Sequence, residues 1–230
     1  MELSIDTSTS FSSISISSEG KILKELTWDA KRNHSVELCP AIWSIMNQLK
    51  IKPVDLKSVF VAIGPGGFSS LRVGLSFAKA ISLTLQIPVV SVRTLDIEIN
   101  PYVPSEIPVY AMIKASTKSV YSINNLDSGG SVSVVNLQDL ADITTTKSIF
   151  CGEGISEISS YLSSKLGNLA ILKGGIPPTR KVSVLASLGY EKLMTSGSED
   201  IDKLEPIYIS GAQYESAKQQ IKRIYINKQH

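Results

Sequence analysis

Apolar and polar residues alternate at the start of the chain. Leu3 and Ile5 sit between polar neighbours, and Ile14 and Ile16 repeat the pattern. A period of two predicts strands that each bury one face. Asp6-Thr7-Ser8-Thr9-Ser10 joins them as a polar turn, since short hydroxyl and carboxylate side chains bond the local backbone. Gly20 marks a second turn and Ile22 to Trp28 a third strand, so the opening reads as an antiparallel meander.

From His34 to Lys50 the spacing becomes helical. Leu38, Ile42, Ile45 and Leu49 fall on one face. Val36, Cys39, Trp43 and Met46 form a second stripe about 100° round from the first. Pro40 lies in the first turns, where a missing N–H is tolerated. One face can pack on a sheet, and the other needs a different partner. Val59 to Ile63 then reads as a buried strand, broken by Gly64-Pro65-Gly66-Gly67. A helix from Phe68 to Leu85 and a strand from Val89 to Val92 complete a βαβ unit, which makes its two strands parallel.

Three prolines between Asn100 and Pro108 suggest a linker. Beyond it, Val109 to Ile113 and Val120 to Ile123 read as a hairpin, and Ser128-Gly129-Gly130-Ser131 as a loop. Ile149 to Cys151 is a strand ending at Gly152-Glu153-Gly154. Ile155, Ile158, Leu162 and Leu166 make a helical stripe that Gly167 stops. Leu169 to Leu172 is a further strand, Val184 to Leu188 part of a helix, and Tyr214, Ala217, Ile221 and Ile224 an amphipathic tail. Both halves alternate strands with helices, without a strict sequence repeat. The expected organisation is an N-terminal lobe over 1–100, a C-terminal lobe over 101–210 and a tail over 211–230.

Composition narrows the function. The 230 residues are 43% hydrophobic and 19% charged, which is globular. Two cysteines and no apolar leader argue against a disulfide-stapled secreted protein. No run approaches the ~18 apolar residues of a membrane-spanning helix. We therefore expect a cytoplasmic protein with no membrane association. A net charge of +2 offers nucleic acid little general attraction.

Two local motifs each admit two readings. A glycine-rich turn ahead of a helix can hold phosphate through backbone N–H groups. Gly64-Pro65-Gly66-Gly67 is followed by Phe68-Ser69-Ser70, however, and lacks the Lys of a P-loop. The plainer reading is a tight turn that needs positive φ. Asp6 with Thr7 and Ser8 could hold a hydrated Mg²⁺ beside phosphate, or simply accept turn N–H bonds. Metal chemistry has little to work with. His34 has Leu38 rather than a second His one helical turn on, and Cys39 and Cys151 are isolated. No metal site is expected, and His34 reads as a surface residue at a helix start. The basic tail residues Lys218, Lys222, Arg223 and Lys228 read as the solvated face of the amphipathic segment.

In order along the chain these motifs resemble the TsaB (YeaZ) family of bacterial tRNA-modification subunits. The resemblance rests on Ile5-Asp6-Thr7-Ser8, on His34-Ser35 with Pro40, on the run from Gly64 to Gly74 that contains Arg72-Val73-Gly74, on Ala78-Lys79, and on Ile87-Pro88-Val89. Gly152-Glu153-Gly154 and Leu204 to Ile209 look like later landmarks. It implies an α/β protein with the actin/Hsp70-like ATPase (ASKHA) fold, two lobes each with a mixed sheet and flanking helices. It implies a non-catalytic partner of a TsaD-like paralogue, which transfers a threonylcarbamoyl group to adenosine-37 of ANN-decoding tRNAs. A TsaE-like ATPase would join them, the chain would form a homodimer when alone, and tRNA would be met only indirectly. An active kinase-like ATP-using enzyme of the same fold is the alternative, and a metallopeptidase a third. No cofactor would be required. Asp6, Thr7, Ser8, Gly64, Gly66 and Gly67 would be relics of a nucleotide cleft, leaving at most weak nucleotide binding. The partner interface would use Val36, Cys39, Trp43 and Met46 on the first helix. Ser70, Gly74 and Ala78 on the second would let another helix approach. The chain departs from the family pattern at Gly67-Phe68-Ser69-Ser70, at Lys114-Ala115-Ser116 and at Ser210.

Overall fold

A computed structural model describes residues 1–116, 118–125, 130, 132–174 and 176–209. The chain divides into two units. Unit 1 comprises Met1–Ile97 and Lys181–Ile207, and unit 2 comprises Glu98–Arg180 and the chain from Tyr208.

Unit 1 begins with β1 (Glu2–Asp6), β2 (Phe11–Ser18) and β3 (Lys21–Asp29), each antiparallel to the last. The second hairpin turns at Glu19 and Gly20, both at positive φ, as the strand twist of a two-residue turn favours. α1 (His34–Leu49) follows, then β4 (Ser58–Ala62), α2 (Phe68–Leu85) and β5 (Val89–Val92). β4 lies parallel to β1 and β5 parallel to β4, which gives the order β3-β2-β1-β4-β5. The expected meander, βαβ unit and helix bounds are all present.

α1 and α2 cover one face of this sheet. Leu38, Ile42 and Ile45 pack with Leu3, Ile5, Ile14, Ile16, Val59 and Val61 in one core. The expectation of a single buried face on β1 and β2 does not hold, because both strands are buried on both sides. α6 (Val182–Ser196) covers the second face, where Phe60 and Val90 meet Val182 and Leu185. The polar half of the alternation is mostly serine, small enough to lie under a helix. Among the described residues the hydroxyls of Ser4, Ser15 and Ser58 have no hydrogen-bond partner there. The expected lobe boundaries are redrawn accordingly: Lys181–Ile207 belong to unit 1 rather than to a lobe over 101–210.

Unit 2 repeats the topology. β6 (Val109–Lys114), β7 (Ser119–Asn124) and β8 (Ser133–Asn136) form an antiparallel meander. α4 (Leu137–Ile143), β9 (Ser148–Cys151), α5 (Ile155–Leu166) and β10 (Ala170–Lys173) follow, with β9 parallel to β6 and β10 parallel to β9. The order β8-β7-β6-β9-β10 is that of unit 1. Leu162, Met112 and the stacked rings of Tyr110 and Phe150, 5.3 Å apart, form its core. The tail over 211–230, its basic residues, Ser210 and most of the 128–131 loop lie outside the described residues. A short α3 (Thr94–Ile99), with β8 and α4, completes the elements.

Candidate functional site

The turn after β1 is stitched to the head of α2. Asp6 is buried, and its Oδ1 accepts hydrogen bonds from the Ser8 N–H at 2.9 Å and the Ser8 hydroxyl at 2.5 Å. The Thr7 hydroxyl donates to the Ser70 carbonyl at 2.7 Å and accepts from the Gly74 N–H at 3.1 Å. The Ser8 carbonyl accepts the Gly67 N–H at 2.8 Å. These contacts explain the glycines. A Cβ on Gly66 would stand 2.1 Å from the Ser8 oxygen, and one on Gly74 would stand 2.4 Å from Thr7 Oγ1. Positive φ is needed at Gly64, where it is +106°, but Gly66 and Gly74 are set by close approach. The structure thus brings together Asp6, Thr7, Ser8, Gly64, Gly66 and Gly67. The Asp6 Oδ1, the Thr7 and Ser8 hydroxyls and the Gly67 N–H are spent on their neighbours.

Unit 2 has a matching strand–glycine–helix turn between β9 and α5. The Gly154 N–H donates to the Met112 carbonyl at 3.0 Å, and the Glu153 N–H to Glu98 Oε1 at 3.1 Å. Arg180 Nη1 lies 2.7 Å from Glu153 Oε2 and 3.1 Å from Glu98 Oε1, which also accepts the Thr179 hydroxyl at 2.7 Å. Burial raises the Glu98 carboxyl above its ordinary value, with Arg180 opposing the shift. Cys151 is buried beside it and donates to the Glu98 carbonyl, and its thiol is pushed up by the same desolvation. This cluster was missed in the sequence: Glu98 and Arg180 are 82 positions apart, and lone charges there read as surface residues. At the departure Lys114-Ala115-Ser116, the Lys114 ammonium pairs with Glu157.

The outer surface of α1 and α2 carries exposed apolar side chains among polar ones. Val36 is 72% exposed and Trp43 58%, Cys39 is exposed beside them, and Leu83 on α2 is 63% exposed. A groove of about 310 Å³ runs between the two helices, lined among others by Trp43, Met46, Phe77, Ile81, Leu85 and Leu56. Three interface expectations are corrected. Met46 is only 3% exposed and belongs to the core. Gly74 and Ala78 are buried too, because α2 turns its small residues inward onto β1, where Thr7 and Ile5 leave no room for more. Ser70 is half-buried, and its carbonyl is the Thr7 acceptor. The missed groove residues had a signal, since Phe77, Ile81 and Leu85 recur every fourth position.

His34 corrects a further expectation. It is buried, not a surface residue, with Nε2 2.7 Å from the Thr9 carbonyl. No helix among the described residues is long and apolar enough to cross a membrane.

Two units of the same strand order, each a mixed five-stranded sheet with flanking helices, define the actin/Hsp70-like (ASKHA) class. A solved structure described as an uncharacterised Pseudomonas aeruginosa protein with similarity to peptidase YEAZ has this fold. It superposes with a TM-score of 0.74 at 20% identity, covering 91% of this chain and 99% of the other. The model of the tRNA N6-adenosine threonylcarbamoyltransferase (TsaD) family matches residues 26–159. The tRNA threonylcarbamoyladenosine biosynthesis protein TsaB of Bacillus subtilis is 36% identical over 94 residues, 41% of either chain. That of Buchnera aphidicola (subsp. Schizaphis graminum) is 33% identical over 95 residues, 41% of this chain and 45% of the relative. The chain therefore belongs to the family that the TsaD model describes, and within it to the TsaB (YeaZ) members. These alignments span about two fifths of the length of the curated relatives.

Proposed function

We propose that this chain is a non-catalytic subunit that binds and supports a TsaD-like enzyme. That enzyme forms N6-threonylcarbamoyladenosine at position 37 of ANN-decoding tRNAs in the cytoplasm. The observation that carries this reading is the set of exposed apolar side chains on α1 and α2. Trp43 stands exposed at a groove that Cys39, Phe77 and Ile81 also line, in a helix pair whose inner faces already fill the core, and Val36 and Leu83 are exposed elsewhere on the same two helices. Exposed apolar surface of this kind marks a protein contact, and a stable contact buries about 1,600 Å² in total. A TsaD-like paralogue would occupy the face in the working complex, with a second copy covering it when the chain is alone. A TsaE-like ATPase would join through the assembled pair, and tRNA would be held by the partner.

The reading as a supporting subunit draws on two further features. The helix that carries His34 has Leu38 one turn on, and Nε2 of His34 is engaged by a backbone carbonyl. The turns after β1 and β9 spend donors on the protein itself, so no cofactor is needed to complete them.

Trp43→Asp tests the interface. It places a charge at an exposed position, so the fold should hold while co-purification with the TsaD-like enzyme is lost. Binding at the wild-type level by a folded Trp43→Asp variant would refute the assignment of this face.

A further inference from the structure

The two edges of the unit 1 sheet are finished differently. At β5 the outward backbone groups are taken. The Val89 N–H donates to the Ser198 hydroxyl, the Glu199 N–H to the Val89 carbonyl, and the Lys192 ammonium to the Ser91 carbonyl. β3, the other edge, is nine residues long and exposed from Leu23 to Thr27. Among the described residues no hydrogen bond reaches the Glu25 and Thr27 backbone from outside the sheet. Those groups do point outward. The Ala30 N–H donates to the Ser10 carbonyl at 3.0 Å, in the register of the β2–β3 pairing. Antiparallel bonding alternates, so Lys24, Leu26 and Trp28 face β2, and the N–H and C=O of Glu25 and Thr27 face away.

An open row of this kind is a template for another extended strand, and the side chains of β3 select a second copy of itself. Two-fold antiparallel pairing needs one residue to sit opposite its own mate, because the alternation of bonds fails otherwise. Centred on Lys24 or on Glu25, the pairing opposes like charges, which is destabilising. Centred on Thr27, it sets Glu25 against Asp29. Leu23 is the unpaired residue where the β2–β3 register shifts, a point at which a strand bends. Centred on Leu26, no like charges meet. Glu25 lies opposite Thr27 through the outward bonds, Lys24 lies opposite the Trp28 ring, and Leu26, 40% exposed, closes on its mate. An ammonium over an indole face is attracted.

We propose that β3 is a self-association edge, on which two copies of this chain pair antiparallel about Leu26 and make one sheet continuous across both. It uses none of the residues that line the α1/α2 groove, so it goes beyond the partner contact proposed above.

The test is sedimentation velocity of the full chain carrying Trp43→Asp, which removes association through the groove from the measurement. A concentration-dependent dimer is expected. Thr27→Glu sets two carboxylates against Glu25 and should weaken the dimer at least tenfold. Thr27→Lys, which gives up the same contact with the Ser13 hydroxyl, should tighten it. Circular dichroism should be unchanged in both, since Thr27 is exposed. A cysteine scan in a Cys39→Ser chain reads the register. Leu26→Cys faces its mate at a Cα separation of about 4.5 Å, within disulfide range, and should give a covalent dimer on mild oxidation. Leu23→Cys lies six positions out of step with its mate, about 20 Å at ~3.4 Å per residue, and should not. A chain that stays monomeric at every concentration, equal effects of Thr27→Glu and Thr27→Lys, or a disulfide through Leu23→Cys in place of Leu26→Cys would each overturn the proposal.

Discussion

The inward direction of α2's small residues can be tested through the pair Thr7 and Gly74. A methyl group on Gly74 would stand 2.4 Å from Thr7 Oγ1, but 3.4 Å from the next nearest atoms, Thr7 Cβ and Ile5 Cγ2. Gly74→Ala alone therefore meets one atom. Overpacking costs about 1–3 kcal/mol, offset by about 1 kcal/mol from replacing glycine inside a helix. Thr7→Ala alone removes the bonds to the Ser70 carbonyl and the Gly74 N–H, at about 1 kcal/mol each. In the double variant the clashing oxygen is gone, so the methyl enters ordinary contact distance. It should be more stable than the sum of the singles implies, by about 1–2 kcal/mol. Urea unfolding followed by tryptophan fluorescence reads this directly, because Trp28 and Trp43 both lie in unit 1. Additivity within about 0.5 kcal/mol would refute the geometry. So would a stable Gly74→Ala that loses its partner while Thr7→Ala keeps it, since the stripe would then face outward.

Three further outcomes are expected. Arg180→Met leaves the carboxylates of Glu98 and Glu153 without their shared cation, and should cost about 3–5 kcal/mol. Glu98→Gln should cost less, and equal losses in circular-dichroism melts would contradict the cluster's arrangement. Burial raises the folded Glu98 carboxyl above its unfolded value near 4.5, so the native state holds the extra proton. That contribution is complete below the unfolded value and is lost as pH rises through the raised one. Stability of Glu98→Gln relative to wild type should therefore improve from pH 4.5 upward, and a flat difference would show that Glu98 titrates normally. Among the thiols, Cys39 is exposed and Cys151 buried with a raised pKa. Ellman's reagent should label Cys39 alone in the native chain and both in denaturant, and the TsaD-like enzyme should slow the reaction at Cys39.

Much of this architecture is legible as periodicity. The four-three-four spacing of Leu38, Ile42, Ile45 and Leu49 locates both α1 and its inner face. The same arithmetic explains why Met46 is buried. At 100° per residue, Met46 lies about 70° from the centre of the core stripe, whereas Trp43 and Val36 lie about 130–150° away. Met46 is thus a shoulder residue that α2 closes over. The stripe of Ser70, Gly74 and Ala78 was legible as small but not as inward, because the reason is Thr7, some 67 positions earlier. The second buried face of β1 and β2 was hidden for a similar reason. Serine reads as solvent-facing until a helix from beyond position 180 is known to lie on it. The repeat of strand order between the units leaves no trace in residue identity, since hydrogen-bond topology constrains pattern rather than sequence.

In the proposed role the chain acts through a TsaD-like partner. Reconstituted threonylcarbamoyladenosine formation measures it most directly, with the TsaD-like enzyme assayed alone, with this chain, and with Trp43→Asp. Product is expected only when the wild-type chain is added, and none from this chain by itself. Full activity of the enzyme without the chain, or equal support from a folded Trp43→Asp, would contradict it.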